Sequence, residues 1–206
     1  MPQENVRRRR TLRRAALAVL AAEGGRGLTH RSVDAAAGVP VGTAKNYFPT
    51  REDLLRAVAE ECALAYGERA AEVPTAMHGP ERERQEALVQ LLSALLADAV
   101  GVGRTRVLAY LELHAEAARR PWLAEVLDGI SLGDFLGFSA LAGAAGLPVD
   151  EGRTRVLTLA LHGCLPHLVA NGTRTRAAAG LDEPESLVRA LLGVVHPEHD
   201  WSAPAG

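Results

Sequence analysis

Between Leu12 and Leu55 glycine and proline cut the chain into four pieces, and the two middle pieces are too short to be stable helices on their own. Leu12, Ala16, Val19 and Leu20 recur at helical spacing and stop at Gly24-Gly25, a pair that ends helices readily. Thr29 is placed to cap a second, short helix with Val33, Ala36 and Ala37 facing inward and Gly38 closing it. The turn Gly38-Val39-Pro40 leads into a third helix from Val41 to about Phe48. That helix stops before Pro49, because the residue ahead of a proline avoids helical backbone. Thr50 and Asp53 form a capping box that opens a fourth helix with Leu54, Leu55, Val58 and Leu64 as its apolar face. Two short helices joined by a tight glycine turn and flanked by longer ones make a helix-turn-helix. Val39, Phe48 and Leu54 read as core, and Gly42 as a point of close packing.

The rest of the chain continues in helices, predicted at about 80–100, 104–118, 121–145, 151–171 and 184–195, with no strand-like alternation. Breaks fall at 74–80, 101–103, 120–121, 146–148 and 172–184, the last long and polar and therefore expected to be mobile. The expected fold is all-α: an N-terminal three-helix helix-turn-helix domain over residues 1–50, and a helical bundle over 51–206.

The net charge of -2 conceals an uneven distribution. Residues 1–56 carry 11 Lys and Arg against 5 Asp and Glu, net +6; the remainder carries 12 against 20, net -8. A polyanion partner for the first segment follows, since neutralising phosphates releases counterions. Cys62 and Cys164 match no metal-ligand or disulfide framework and read as buried apolar side chains. With no signal-cleavage pattern and no run of 18 or more apolar residues, a reducing, cytoplasmic setting without membrane contact is expected.

The stretch LTHRSVDAAAGVPVGTAKNYFPTREDLL, Leu28 to Leu55, resembles the DNA-binding signature of the tetracycline-repressor (TetR) family. The resemblance covers roughly residues 10–58 and rests on Thr29, Ala37-Gly38-Val39, Gly42-Thr43, Tyr47-Phe48-Pro49 and Leu54-Leu55 in that order. It implies a transcriptional regulator, commonly a repressor, that binds double-stranded operator DNA as a homodimer and is released by a small-molecule effector. Carried over, Val41, Gly42, Thr43, Lys45 and Asn46 face the major groove, while Thr29, Tyr47 and Arg51 contact the DNA backbone. Lys45 can reach guanine acceptors and Asn46 can pair with adenine. The run Arg7, Arg8, Arg9 and Arg10 adds backbone or minor-groove contacts in the manner of a flexible basic arm. The sequence departs from the family pattern at Pro40, which removes a hydroxyl cap, at Val41, which removes a polar groove contact, and at Lys45, the chain's only lysine, where tyrosine is usual.

An effector pocket is expected among the middle helices, bounded by Leu108, Leu111, His114, Trp122, Leu127, Phe135 and Phe138. Val156, Leu159, Ala160, Gly163 and His167 form one stripe, and Leu187 and Leu191 sit on a second amphipathic helix. The resemblance makes these two helices a four-helix dimer interface.

Three patterns point elsewhere. Gly129-Ile130-Ser131-Leu132-Gly133 fits a nucleophile elbow, with Asp150 and then His162 or His167 in hydrolase order. A Ser131-dependent hydrolase is therefore the alternative from another class, but it needs a strand-to-helix turn above a parallel sheet. A helical ligand-binding dimer without DNA recognition is the other alternative, motivated by Pro40, Val41 and Lys45. His196 and His199 flank a proline in what reads as a frayed tail rather than a metal site. No cofactor, metal or catalytic constellation is expected.

Overall fold

The structure is a computed structural model that describes residues 2–72 and 77–202. Ten helices are described: α1 Pro2–Gly27, α2 His30–Ala37, α3 Thr43–Tyr47, α4 Arg51–Glu72, α5 Glu81–Val100, α6 Arg104–Ala117, α7 Pro121–Ala144, α8 Glu151–Ala170, α9 Thr173–Ala178 and α10 Pro184–Val195. No strand occurs among the described residues. The fold is all-α, and the longer helices begin and end within a residue or two of where periodicity and breakers put them. The first part of the break expected at 74–80 lies outside the described residues.

The chain divides into two compact units. The first comprises residues 1–68 and 103–130, so α4, α6 and the start of α7 pack with the helix-turn-helix. Its core joins Leu12, Ala16, Val19 and Leu20 of α1 to Val33, Ala44, Phe48, Leu54, Leu55, Val58 and Cys62, and to Leu113, Leu123 and Leu127. Two expected inward residues face solvent instead: Ala36 of α2 is exposed while Asp34 is buried, and Leu64 of α4 is exposed while Ala59 and Cys62 fill the core. The glycine pair does not separate α1 from a loop; it bends the helix at Gly24, where φ is 66°.

The second unit comprises residues 69–102 and 131–206. Leu88, Val89, Leu92 and Leu96 of α5, Leu157, Leu161, Leu165 and Leu168 of α8, and Val188, Leu192 and Val195 of α10 are its buried apolar residues. Asp150 caps α8 by accepting the Arg153 amide at 2.8 Å. The segment 172–184 is not simply a loop, since it contains the six-residue α9, tied by the Arg176–Asp182 ion pair at 3.3 Å. Nor is the tail frayed. The Arg82 guanidinium donates to the carbonyls of Asp200 and, at 3.0 Å, Ser202, Arg189 donates to that of Trp201 at 3.3 Å, and His196 and Trp201 are buried.

Helix α7 contains no unbroken run of 18 apolar residues, yet it is the most membrane-like single helix among the described residues. By length and composition alone it qualifies as a span, with a mean hydropathy of 1.3 over an 18-residue window of which 17% is buried. Asp128 and Asp134 interrupt it.

Candidate nucleic-acid interface

Thr29 caps α2 as expected: its hydroxyl accepts the Ser32 amide at 3.1 Å, and the Ser32 hydroxyl receives the Thr29 amide at 3.0 Å, closing a capping box. At the other end Gly38 adopts φ 63°, a left-handed conformation that glycine takes without steric cost. The chain then turns through Val39 and Pro40 into α3.

Only five residues long, α3 is held at its start by a side chain from another helix. Asp34 of α2 is 1% exposed, and its two carboxylate oxygens accept the amides of Gly42 and Ala44, each at 2.6 Å. This carboxylate does the work of the hydroxyl cap that Pro40 removes, and sequence reasoning missed it because Asp34 interrupts the apolar face of α2. Its signal was an acid placed just ahead of a helix that lacks its own cap. Thr43 adds a bond from its hydroxyl to the Pro40 carbonyl at 2.6 Å. Gly42 is not a packing glycine: a Cβ there would meet nothing within 4 Å, and what the position requires is its φ of 93°.

The outer face of α3 is free for a partner. Lys45 and Asn46 are exposed, and Val41, just ahead of the helix, is 82% exposed. Thr43 and Gly42 are half-buried beneath them. Phe48 anchors the far end in the core, and its carbonyl lies 2.5 Å from His30 Nε2, which ties α3 back to α2.

The proposed DNA-backbone contacts fare differently from one another. Thr29 is exposed at the start of α2, next to exposed Arg31, a basic residue the motif comparison did not single out. The Tyr47 hydroxyl donates to Asn5 Oδ1 at 3.1 Å. Arg51 turns inward and donates to the carbonyls of Gly25 and, at 2.6 Å, Leu28, joining the start of α4 to the end of α1. Arg7, Arg8, Arg9 and Arg10 are exposed but lie within α1, so they form a helical basic face instead of a flexible arm. Arg9 stacks over the Phe48 ring at 5.0 Å, a cation–π contact that fixes that face against α3.

Of the expected effector residues, Trp122 and Leu127 join the core of the first unit, Leu108 and Leu111 are half-buried there, and exposed His114 places Nδ1 2.9 Å from the Tyr110 carbonyl. Phe135 and Phe138 belong to the second unit, where both are half-buried. In the expected dimer stripe Val156, Leu159, Gly163 and His167 are exposed, while Ala160, Leu187 and Leu191 are half-buried. Ser131 lies inside α7, with no strand-to-helix turn around it.

A short exposed helix, held at its start by a buried carboxylate after a tight glycine turn, makes this all-helical chain a helix-turn-helix protein. The description "Tetracyclin repressor-like, C-terminal domain" matches residues 83–195, over half of the chain, and the protein belongs to the TetR family of transcriptional regulators. It is similar to a TetR-family member, SCO1917 of Streptomyces coelicolor A3, with 28% identity and a TM-score of 0.65 over 89% of this chain and 97% of that one. EbrR, a multidrug binding protein solved with malachite green, shares 26% identity with a TM-score of 0.62 over 89% and 96%. A Rhodococcus transcriptional regulator shares the fold, with a TM-score of 0.72 at 21% identity over 95% and 99%. No curated protein matches the chain.

Proposed function

We propose that the protein is a cytoplasmic repressor that grips a two-fold operator as a homodimer through residues 1–50 and releases it when residues 51–206 bind a small molecule. The observation that carries the reading is α3: its N-terminus is fixed by Asp34, and it presents Val41, Lys45 and Asn46 outward. Thr43 and Gly42 shape that edge. An exposed valine suits a thymine methyl, a lysine suits guanine O6 and N7, and an asparagine suits adenine. Thr29, Tyr47 and the helical row Arg7, Arg8, Arg9 and Arg10 supply phosphate contacts, with Arg31 beside them. Arg51 positions the motif through the Gly25 and Leu28 carbonyls and keeps its remaining N–H groups for phosphate.

The dimer forms through α8 and α10, using Val156, Leu159, Ala160, Gly163, His167, Leu187 and Leu191. Val194, exposed on α10, joins them. The effector reading is supported by EbrR, which was solved with several small molecules.

Fluorescence anisotropy on the DNA upstream of the protein's own gene, against scrambled DNA across a salt series, tests the proposal. The expected result is tighter binding to the native sequence that weakens steeply with salt. Lys45→Ala should lower the salt slope by about one and relax base preference. Equal binding of both DNAs at every salt concentration would sink the operator reading.

A further inference from the structure

We infer that Asn5 is a further DNA-contacting residue: its side-chain amide, held by Tyr47, donates to a phosphate beside the groove that α3 enters. The inference rests on the DNA-binding reading and deepens it, because it has Tyr47 serve the DNA backbone through a residue of α1.

Asn5, Arg9, Leu12 and Ala16 recur at helical spacing and share one face of α1. Leu12 and Ala16 are fully buried in the core of the first unit, and the same face runs on past that core to the end of α3. There the Arg9 guanidinium lies over the Phe48 ring at 5.0 Å, and one turn further out the Tyr47 hydroxyl donates to Asn5 Oδ1 at 3.1 Å. From Gln3 to Thr11 every residue of α1 is exposed, so these contacts place an otherwise open stretch beside the recognition helix. Tyr47 follows directly on Lys45 and Asn46, the exposed residues of α3.

A tyrosine hydroxyl carries one proton, and Tyr47 spends it on Asn5. Phosphate oxygens only accept, so the Tyr47 oxygen has no donor left for them. The asparagine amide has two N–H groups besides the oxygen that receives Tyr47, and neither is taken by another described residue. With Oδ1 turned to Tyr47, Nδ2 points the other way, from an exposed residue close in the chain to Arg7, Arg8, Arg9 and Arg10. A partner arriving there must accept hydrogen bonds and carry negative charge, which describes a DNA phosphate. An unsupported surface asparagine would lose its side-chain freedom on binding. The bond to Tyr47 removes that freedom beforehand and lowers the entropic cost of the contact.

Fluorescence anisotropy with the full chain, on the DNA upstream of its own gene and on a scrambled duplex of equal length, tests the contact. Asn5→Ala should weaken binding to both DNAs by about tenfold and leave the salt slope unchanged, because a neutral amide displaces no counterion. Arg8→Ala, by contrast, should lower the slope. Tyr47→Phe should weaken binding by a similar factor, and the double variant by no more than Asn5→Ala alone, because the phenol acts through the amide. Asn5 is exposed, so Asn5→Ala should melt like the unaltered protein, and the loss is one of contact and not of fold. Unchanged affinity of Asn5→Ala on both DNAs overturns the inference. Losses that multiply in the double variant also overturn it, since Tyr47 would then reach DNA by itself. So does a loss confined to the upstream DNA, because Asn5 would then read a base. The operator reading fails separately: equal binding of both DNAs by the unaltered protein, with Asn5→Ala weakening both, would sink the operator and leave the phosphate contact standing.

Discussion

Asp34 Oδ1 accepts the Ala44 amide at 2.6 Å across the turn of the motif, so the helix expected to read DNA is aligned by a carboxylate that is itself buried. Asp34→Ala leaves two amides without their acceptor and opens a gap at a buried position. It should destabilise the protein by about 1–3 kcal/mol in thermal melts and weaken operator binding in the surviving folded fraction. Asp34→Asn keeps one acceptor for two donors and should fall between. An alanine variant with native melting and native operator affinity would show that α3 holds its place without this bond.

Gly42 tests a different contribution to the same helix. Open space surrounds its Cα, so alanine meets no neighbour there and suffers only from the positive φ. Gly42→Ala should cost about 1–2 kcal/mol, and Gly42→Asn less, because asparagine tolerates left-handed backbone. If alanine proved more damaging than a bulky residue of good left-handed propensity, packing would be the cause after all.

The helix positions were legible because α5 to α8 and α10 are bounded by glycine and proline and are rich in alanine and leucine. What periodicity could not convey was polar structure. Asp34 sits where an apolar residue is expected, and Arg51 looks like a phosphate ligand until its carbonyl partners are seen. The tail failed for the same reason: its anchors are Arg82 and Arg189, more than a hundred and about a dozen residues away respectively, and no local pattern encodes such contacts. Exposure on α8 was invisible too, since an apolar stripe reads identically whether it faces its own core or a partner.

The tail carries a pH dependence. His196 is 2% exposed; burial, then the Arg153 guanidinium, whose Nη1 lies 3.2 Å from its Nδ1, push its pKa below the ordinary 6.5. Arg153 reaches it from α8, and Glu198 and His199 face it from the tail itself. The unfolded chain then takes up a proton that the folded chain resists, so this contribution is complete above 6.5 and declines as pH falls through that value. Glu198, lowered by its backbone hydrogen bond and by Arg153, acts separately, losing its contribution only below the usual carboxylate value of 4.5. Melting temperature should drop between roughly pH 7 and 5, and His196→Gln should flatten that part of the curve. Parallel curves for the two proteins would assign the drop elsewhere.

Leu159 is 62% exposed on α8, with Val156 beside it and Val194 exposed on α10, the helix packed against α8. Three large apolar side chains left to water on two adjoining helices form the face expected to meet a second copy. Introducing Leu159→Glu places two like charges near the two-fold axis and desolvates both on association, so light scattering should report a monomer. Because each protomer supplies one recognition helix, losing the dimer replaces a linked second contact with an independent one, and operator affinity should fall by about a hundredfold while the melting profile of each protomer keeps its cooperativity. A dimer that persists in Leu159→Glu with unchanged operator affinity would move the interface off this face and leave the exposed stripe without a role in DNA binding.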